Sequence, residues 1–300
     1  MKYSIELIRL LAVVLITLTH TRHSITEDST FAYFLVEQLP TVGTILLSII
    51  SGYLFQKISF KRSELFMNKV KTLFIPFLIA NLSVLCLVLI AKYIFDFNFL
   101  NRLTFDITLI TEGVLALNSP PINPPTYFIR DIFVIFVLIE LIKNKNIYML
   151  LIILPLFIFG NLLLRYDILI LFLAGMVIAK YETQLILPKI RIILLSILTL
   201  LCFILILKTD ITIYKYPTAL LIFLIVINRD IKFYNTGSYS YLLHLYHSPI
   251  IVATYPVVQI ITKNDIYSVA IQASISFLLI YLLYAITRRK IWLRILCGYK

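Results

Sequence analysis

The feature that most constrains this chain is a near-unbroken succession of apolar runs, most of them close to the length that crosses a bilayer. They cover about Ile5–Ser24, Thr41–Lys57, Thr72–Phe95, Tyr127–Lys143, Ile147–Leu164, Ile168–Tyr181, Ile190–Leu207, Tyr216–Asn228, Gly237–Thr262 and Tyr267–Thr287. A spanning helix takes about 20 mostly apolar residues, so ten of them use roughly 200 positions. Little is then left of a 300-residue chain for a separate soluble domain. Composition agrees: 61% of residues are hydrophobic, 14% are charged and the mean hydropathy is +0.97, against about half apolar and a quarter charged in soluble domains. The expected fold class is an all-α polytopic integral membrane protein of about ten transmembrane helices, forming one membrane-embedded domain over residues 1–300. Leu103–Leu117, apolar but carrying Asp106 and Glu112, reads as a re-entrant or surface helix.

A net charge of +12 could suggest nucleic acid in a soluble chain. In a membrane protein it has a simpler source, because basic residues collect in cytoplasmic loops and set orientation. With the N-terminus inside, 18 of the 27 basic residues fall in inner segments, seven fall in outer loops, and Arg9 and Arg130 lie within helices. That asymmetry predicts both termini in the cytoplasm, an even number of spans, a bilayer as partner and no nucleic acid. The first apolar run carries Arg9 and lacks a small-residue cleavage site, so it is expected to stay as a helix. Three cysteines give no disulfide framework, and no spacing predicts a metal site.

Ionisable groups at membrane depth are costly and are therefore candidates for function. The first helix has the clearest set, Glu6, Arg9 and His20. At about 100° and 1.5 Å per residue, Arg9 and His20 differ by only about 20° around the axis and about 16 Å along it, and Glu6 and His23 fall near the same stripe. The alternative makes Glu6 and Arg9 interfacial anchors and His20 a hydrogen-bonded packing residue. Next comes the inner loop Lys57–Lys71, which holds Lys57, Lys61, Arg62, Lys69 and Lys71. It is either an anchor to anionic lipid or a clamp for the phosphates of a nucleotide-like donor. Ser51-Gly52-Tyr53 precedes it, where the glycine can simply serve close helix packing.

Pro120, Pro121, Pro124 and Pro125 form a stiff approach to the fourth helix. That helix opens Tyr127-Phe-Ile-Arg130-Asp131, either a self-neutralising interfacial pair or a pair that points into an acceptor cavity. Near the end of the chain, Ser240 to Pro249 holds His244 and His247, three apart and able to share a helix face. Two histidines alone make no convincing zinc site, and structural hydrogen bonding suits at least one of them.

Taken in order, these segments resemble the acyltransferase-3 family of membrane acyltransferases. Its first helix reads acid, two residues, Arg or Lys, then an apolar stretch ending in His, as Glu6, Arg9 and His20 do. Ser51-Gly52-Tyr53 resembles the end of its second helix, with Ser48 in place of an aromatic residue. Lys69-Val-Lys71-Thr-Leu-Phe-Ile-Pro76 resembles its basic segment, with Lys69 and Thr72 where two arginines are usual. Tyr127 to Asp131 resembles its Trp-Phe-Leu-Arg-Asp segment, and Ser240 to Pro249 its late Ser-Tyr…His-x-Pro motif, with His244 at a tyrosine position.

The resemblance implies transfer of an acyl group, usually acetyl, from cytoplasmic acyl-coenzyme A to a hydroxyl of a cell-surface or lipid-linked glycan. The family's first-helix histidine makes His20 the catalytic residue, with Arg9 as the second catalytic candidate. Arg9, Arg62, Lys69 and Lys71 are then the donor-binding candidates, and Tyr53, Arg130, Asp131 and His247 the acceptor-binding ones. No resident cofactor is expected, since acyl-CoA, usually acetyl-CoA, is a co-substrate. The location implied is the cytoplasmic (inner) membrane. A neutral imidazole near its usual pKa of about 6.5 suits general-base work. Arg130, Tyr53 or backbone amides are candidate oxyanion donors, and Asp131 is a candidate to orient His20. The competing class is a transporter or flippase of glycan intermediates, in which buried charges line a pathway.

Overall fold

The structure, a computed structural model, describes residues 3–26, 30–60, 65–98, 100, 102–182, 188–207, 212–227, 229 and 231–298. Among these residues there is no strand. Among the described residues, ten helices of ten or more residues carry the fold. They are α1 (Tyr3–Leu18), α2 (Val42–Leu54), α3 (Ile75–Phe95), α4 (Tyr127–Asn144) and α5 (Leu150–Phe159). The second five are α6 (Tyr166–Lys180), α7 (Pro188–Leu207), α8 (Lys215–Ile227), α9 (Gly237–Ile261) and α10 (Asp265–Arg289). Three helical stretches are long and apolar enough to cross a membrane, Phe31–Ser59, Leu65–Phe95 and Asp265–Arg289.

Several boundaries differ from the sequence expectation, each for a local reason. The first helix stops at Leu18, not Ser24. Thr17, Thr19 and Thr21 turn their hydroxyls back onto the carbonyls of Val13, Ile16 and Leu18 at 2.7–2.9 Å, which competes with the helical ladder. The amides of His20 and Thr21 accordingly reach only three residues back. His20 and His23 therefore lie beyond α1, and the helical projection does not carry to His23.

The fifth helix ends at Phe159 rather than Leu164, where Gly160 is fully extended. Of the Lys57–Lys71 segment, the described ends are wound rather than looped. Phe55–Ser59 is a π-turn that prolongs α2, while Leu65–Lys69 and the π-turn Val70–Phe74 run straight into α3. Leu103–Leu117 forms no long helix; only Leu109–Val114 is wound.

The chain forms two compact units, each built from three separate stretches. One comprises Met1–Arg62, Asp167–Ser240 and Thr254–Ile275; the other Ser63–Tyr166, Tyr241–Ala253 and Ser276–Lys300. In the first unit α2 packs on α1 and α8, with Ile8, Ile45, Leu46, Ile49, Phe172 and Phe223 fully buried. Its α2 and α6 touch backbone to backbone. A Cβ on Gly52 would lie 1.8 Å from the Phe172 carbonyl oxygen, and one on Gly175 would lie 2.1 Å from that of Ile49. Close packing is thus the role of the glycine in Ser51-Gly52-Tyr53.

In the second unit α4 is central, and Phe128 through Val137 are all buried. A helix apolar all round belongs in such a place. Phe74 stacks on Phe133 at 4.9 Å, and Val137, Met149 and Ile153 complete the cluster. Outward faces such as Leu87 and Ile94 of α3 or Leu151 and Phe157 of α5 stay exposed, an apolar surface far beyond what soluble monomers carry.

Candidate functional site

In the first unit, Glu6 anchors the polar end of α1. Its carboxylate, 2% exposed, accepts from Arg9 Nη1 at 3.0 and 3.2 Å. It also accepts from the Thr236 amide at 3.1 Å. Thr236 is the residue before α9, so Glu6 caps that helix from a neighbouring chain segment and complements its positive N-terminal end. One edge of Arg9 is thereby fixed, and its side chain remains 20% exposed. Gly237 opens this corner, because a Cβ there would sit 2.9 Å from Arg9 Nη1.

His20 stands in the tightened turn after α1. The ring is only partly covered, yet its apolar surroundings push the imidazole down from 6.5 to about 4. Burial disfavours the charged form, so His20 is neutral at physiological pH rather than poised near its usual pKa. The segment after it is tied down on three sides. The Gln272 side chain accepts from the Arg22 amide at 2.9 Å and donates to the Arg22 carbonyl at 2.8 Å. Asp265 accepts from the Ser24 amide at 3.0 Å, and His23 Nε2 lies 3.3 Å from Glu37. Neither Gln272 nor Glu37 was singled out from sequence. Gln272 had a signal, as an amide within the apolar run of α10.

Gln272→Leu is expected to remove both bonds to Arg22, at a cost of about 1–3 kcal/mol for buried groups left unmatched. Hydrogen–deuterium exchange of the purified chain should then show faster exchange over residues 19–25; an unchanged rate would mean that the clamp does not hold the turn.

Tyr53, near the C-terminal end of α2, donates to Glu182 at 3.0 Å. Lys57 Nζ lies 2.6 Å from the same carboxylate group and 5.9 Å from the Tyr53 ring centroid. Glu182, just past α6 and 8% exposed, was also missed from sequence. It neutralises Lys57, which leaves the Lys57–Lys71 segment weaker by one charge than the sequence suggests. Arg62 lies outside the described residues.

The second unit holds the remaining candidates. Lys69 places its ammonium 4.1 Å from the Phe136 ring centroid, a cation–π contact, and Lys71 is exposed in the π-turn before α3. Arg130 and Asp131 are not spread over a polar surface. They pair with each other at 2.8 Å. Arg130 donates to the carbonyls of Asn161 and Leu162, and Asp131 accepts from the amides of Leu164 and Arg165 at 3.0 and 2.9 Å. Both are buried, and together they hold the non-helical 161–165 segment that ends α5 early. Both Asp131 oxygens are committed to that brace.

His247 turns Nδ1 onto the Leu243 carbonyl at 2.6 Å. The His244 ring meets Phe128 edge-on at 5.6 Å and lies 6.4 Å from the His247 ring. The structure thus groups Arg9 with Glu6, Tyr53 with Lys57 and Glu182, and His244 with His247, each within one unit. It gives Arg130 and Asp131 a structural task.

Comparison with known proteins adds one decisive finding. A family model described as an acyltransferase domain matches residues 2–289. No curated protein and no solved structure matches the chain. With apolar helices throughout and a match over nearly its whole length, this chain belongs to the acyltransferase-3 family of membrane proteins.

Proposed function

We propose that this protein moves an acyl group, acetyl by preference, from cytoplasmic acyl-coenzyme A to a hydroxyl of a cell-surface or lipid-linked glycan. The observation that carries the reading is the match of an acyltransferase-domain model to residues 2–289, and the first helix supports it with an Arg9 guanidinium fixed by the buried Glu6 carboxylate and His20 in the turn that follows. His20 takes the proton from the acceptor hydroxyl as its oxygen attacks the thioester carbonyl. The tetrahedral intermediate then collapses with loss of the C–S bond. The coenzyme thiolate leaves and takes up the proton that the imidazolium held, while the new C–O ester stays on the glycan.

Arg9, aided by Arg62, Lys69 and Lys71, attracts the donor's phosphates. Tyr53 and His247 serve the acceptor, and Arg130 and Asp131 serve it by shaping the 161–165 segment. All ten helices cross the cytoplasmic (inner) membrane, with both termini inside, as the excess of 18 inner over seven outer basic residues favours.

The test is mass spectrometry of the host's surface glycans from intact, deleted and complemented strains. A mass increment of one acyl group should vanish on deletion and return on complementation. Unchanged glycan mass on deletion, with glycan accumulating on the wrong side of the membrane, would establish transport instead.

A further inference from the structure

Helix α9 contains a proline, Pro249, two residues after His247. Proline has no N–H, and in a helix interior it withdraws the hydrogen bond that its position owes to the carbonyl four residues earlier; its ring also pushes that carbonyl outward. Here the carbonyl is that of Leu245, in the turn between His244 and His247. Asn123 Nδ2 donates to it at 2.7 Å. Asn123 is 1% exposed and comes from the proline-rich approach to α4, a remote part of the sequence within the same unit.

The backbone that carries this amide is held on both sides: the Asn123 N–H donates to Asn81 Oδ1 at 3.2 Å, and the Asn123 backbone carbonyl accepts from Thr126 Oγ1 at 2.8 Å. The side-chain Oδ1 is buried without a hydrogen-bond partner among the described residues, so Nδ2 is the atom through which the side chain acts. Asn81 Nδ2 in turn donates to Thr126 Oγ1 at 3.0 Å and to the Phe77 carbonyl at 2.9 Å. Asn81 and Thr126 are fully buried. Pro121, Pro124 and Pro125 restrict the backbone on either side. This network fixes the Asn123 backbone, and from it the Asn123 side chain reaches Leu245.

We propose that Asn123 is a positioning residue: its side-chain amide replaces the hydrogen bond that Pro249 removes from α9, and so fixes the turn that carries His244 and His247. Its consequence for transfer rests on the acyl-transfer reading above; the replacement of one hydrogen bond by another does not.

A double-mutant cycle separates the two. The full-length protein is purified as wild type, Asn123→Ala, Pro249→Ala and the double variant, and each is melted. Pro249→Ala restores the backbone N–H. Asn123→Ala should therefore lower the melting midpoint by less than half as much in the Pro249→Ala background as in the wild-type background. Equal losses in the two backgrounds would overturn the proposal. Asn123→Asp, nearly the same shape but with an ionised carboxylate that only accepts, should melt at least as early as Asn123→Ala; melting like wild type would also overturn it.

In the same preparations, transfer from acetyl-CoA to host glycan should fall on the order of tenfold in Asn123→Ala, the factor one lost buried hydrogen bond is worth. It should recover in the double variant relative to Pro249→Ala. Coupled melting without recovery of transfer would remove the positioning role. Absence of transfer in wild type would refute the acyl-transfer reading while the melting cycle still decides the bond.

Discussion

Gly52→Ala is expected to unseat α2 from α6 and to leave little folded protein. A methyl group at this position would lie 1.8 Å from the carbonyl oxygen of Phe172 and 2.6 Å from its carbonyl carbon. The obstacle is backbone, so no side-chain rotation relieves it, and the two helices must separate. Separation strips the reciprocal contact at Gly175 against Ile49 and exposes part of the Ile49, Phe172 and Phe223 core. Overpacking of a core typically costs about 1–3 kcal/mol, and a rigid clash of this size belongs at or above the top of that range. Against a typical net stability of about 5–15 kcal/mol, that is a large share.

The neighbouring motif residue supplies the control. Ser51 spends its hydroxyl on the Leu47 carbonyl of its own helix at 2.8 Å, so Ser51→Ala should be nearly neutral in stability. Melting of the purified chains checks both. A Gly52→Ala protein that melts with wild type would mean that α2 and α6 do not touch as described.

The contrast between those two neighbours shows what the sequence made legible. The ten described helices were readable as apolar runs, and α4 was placed to within a residue, because the prolines allow only a single 3-10 turn, Pro124–Thr126, before Tyr127 and Lys145 adopts a left-handed conformation just past Asn144. Close packing at Gly52 was open to reading as one role of a Ser-Gly pair in an apolar run. What was not readable was competition and partnership. Three threonines compete with the helical ladder near Leu18, so His20 lies in a tightened turn past the end of a helix that the apolar run extended to Ser24. Lys57, counted as a basic residue for donor phosphate, is matched by Glu182 from 125 positions further along the chain. Arg130 and Asp131, legible as a charge pair, gave no sign that their partners were the backbone of residues 161–165. Such pairings belong to tertiary structure, and a single sequence carries only their separate halves.

His20→Ala is expected to reduce acyl transfer by about a hundred- to ten-thousandfold, the range that a positioned general base supplies. His20→Gln should fall in the same range, because an amide keeps much of the ring's polarity but cannot accept the proton. Neither change should abolish folding, since His20 lies beyond α1 in a turn held largely by other residues, among them Thr21, Gln272 and Asp265.

The pH dependence tests the burial of the imidazole. With its pKa pushed from 6.5 to about 4 by burial, His20 stays neutral and able to accept a proton down to that value. Transfer measured with acetyl-CoA in isolated membranes should therefore hold level between about pH 7 and 5 rather than halving near 6.5.

The same shift acts on folding in a known direction. The unfolded chain binds the His20 proton below 6.5 and the folded chain only near 4, so this residue's contribution to stability is full above 6.5 and declines as pH falls through that interval. Melting midpoints at each pH separate loss of folded protein from loss of chemistry. Wild-type transfer that halves near 6.5 while the chain remains folded would contradict the buried, neutral imidazole. Full transfer by His20→Ala would take His20 out of the reaction and move the base to another group.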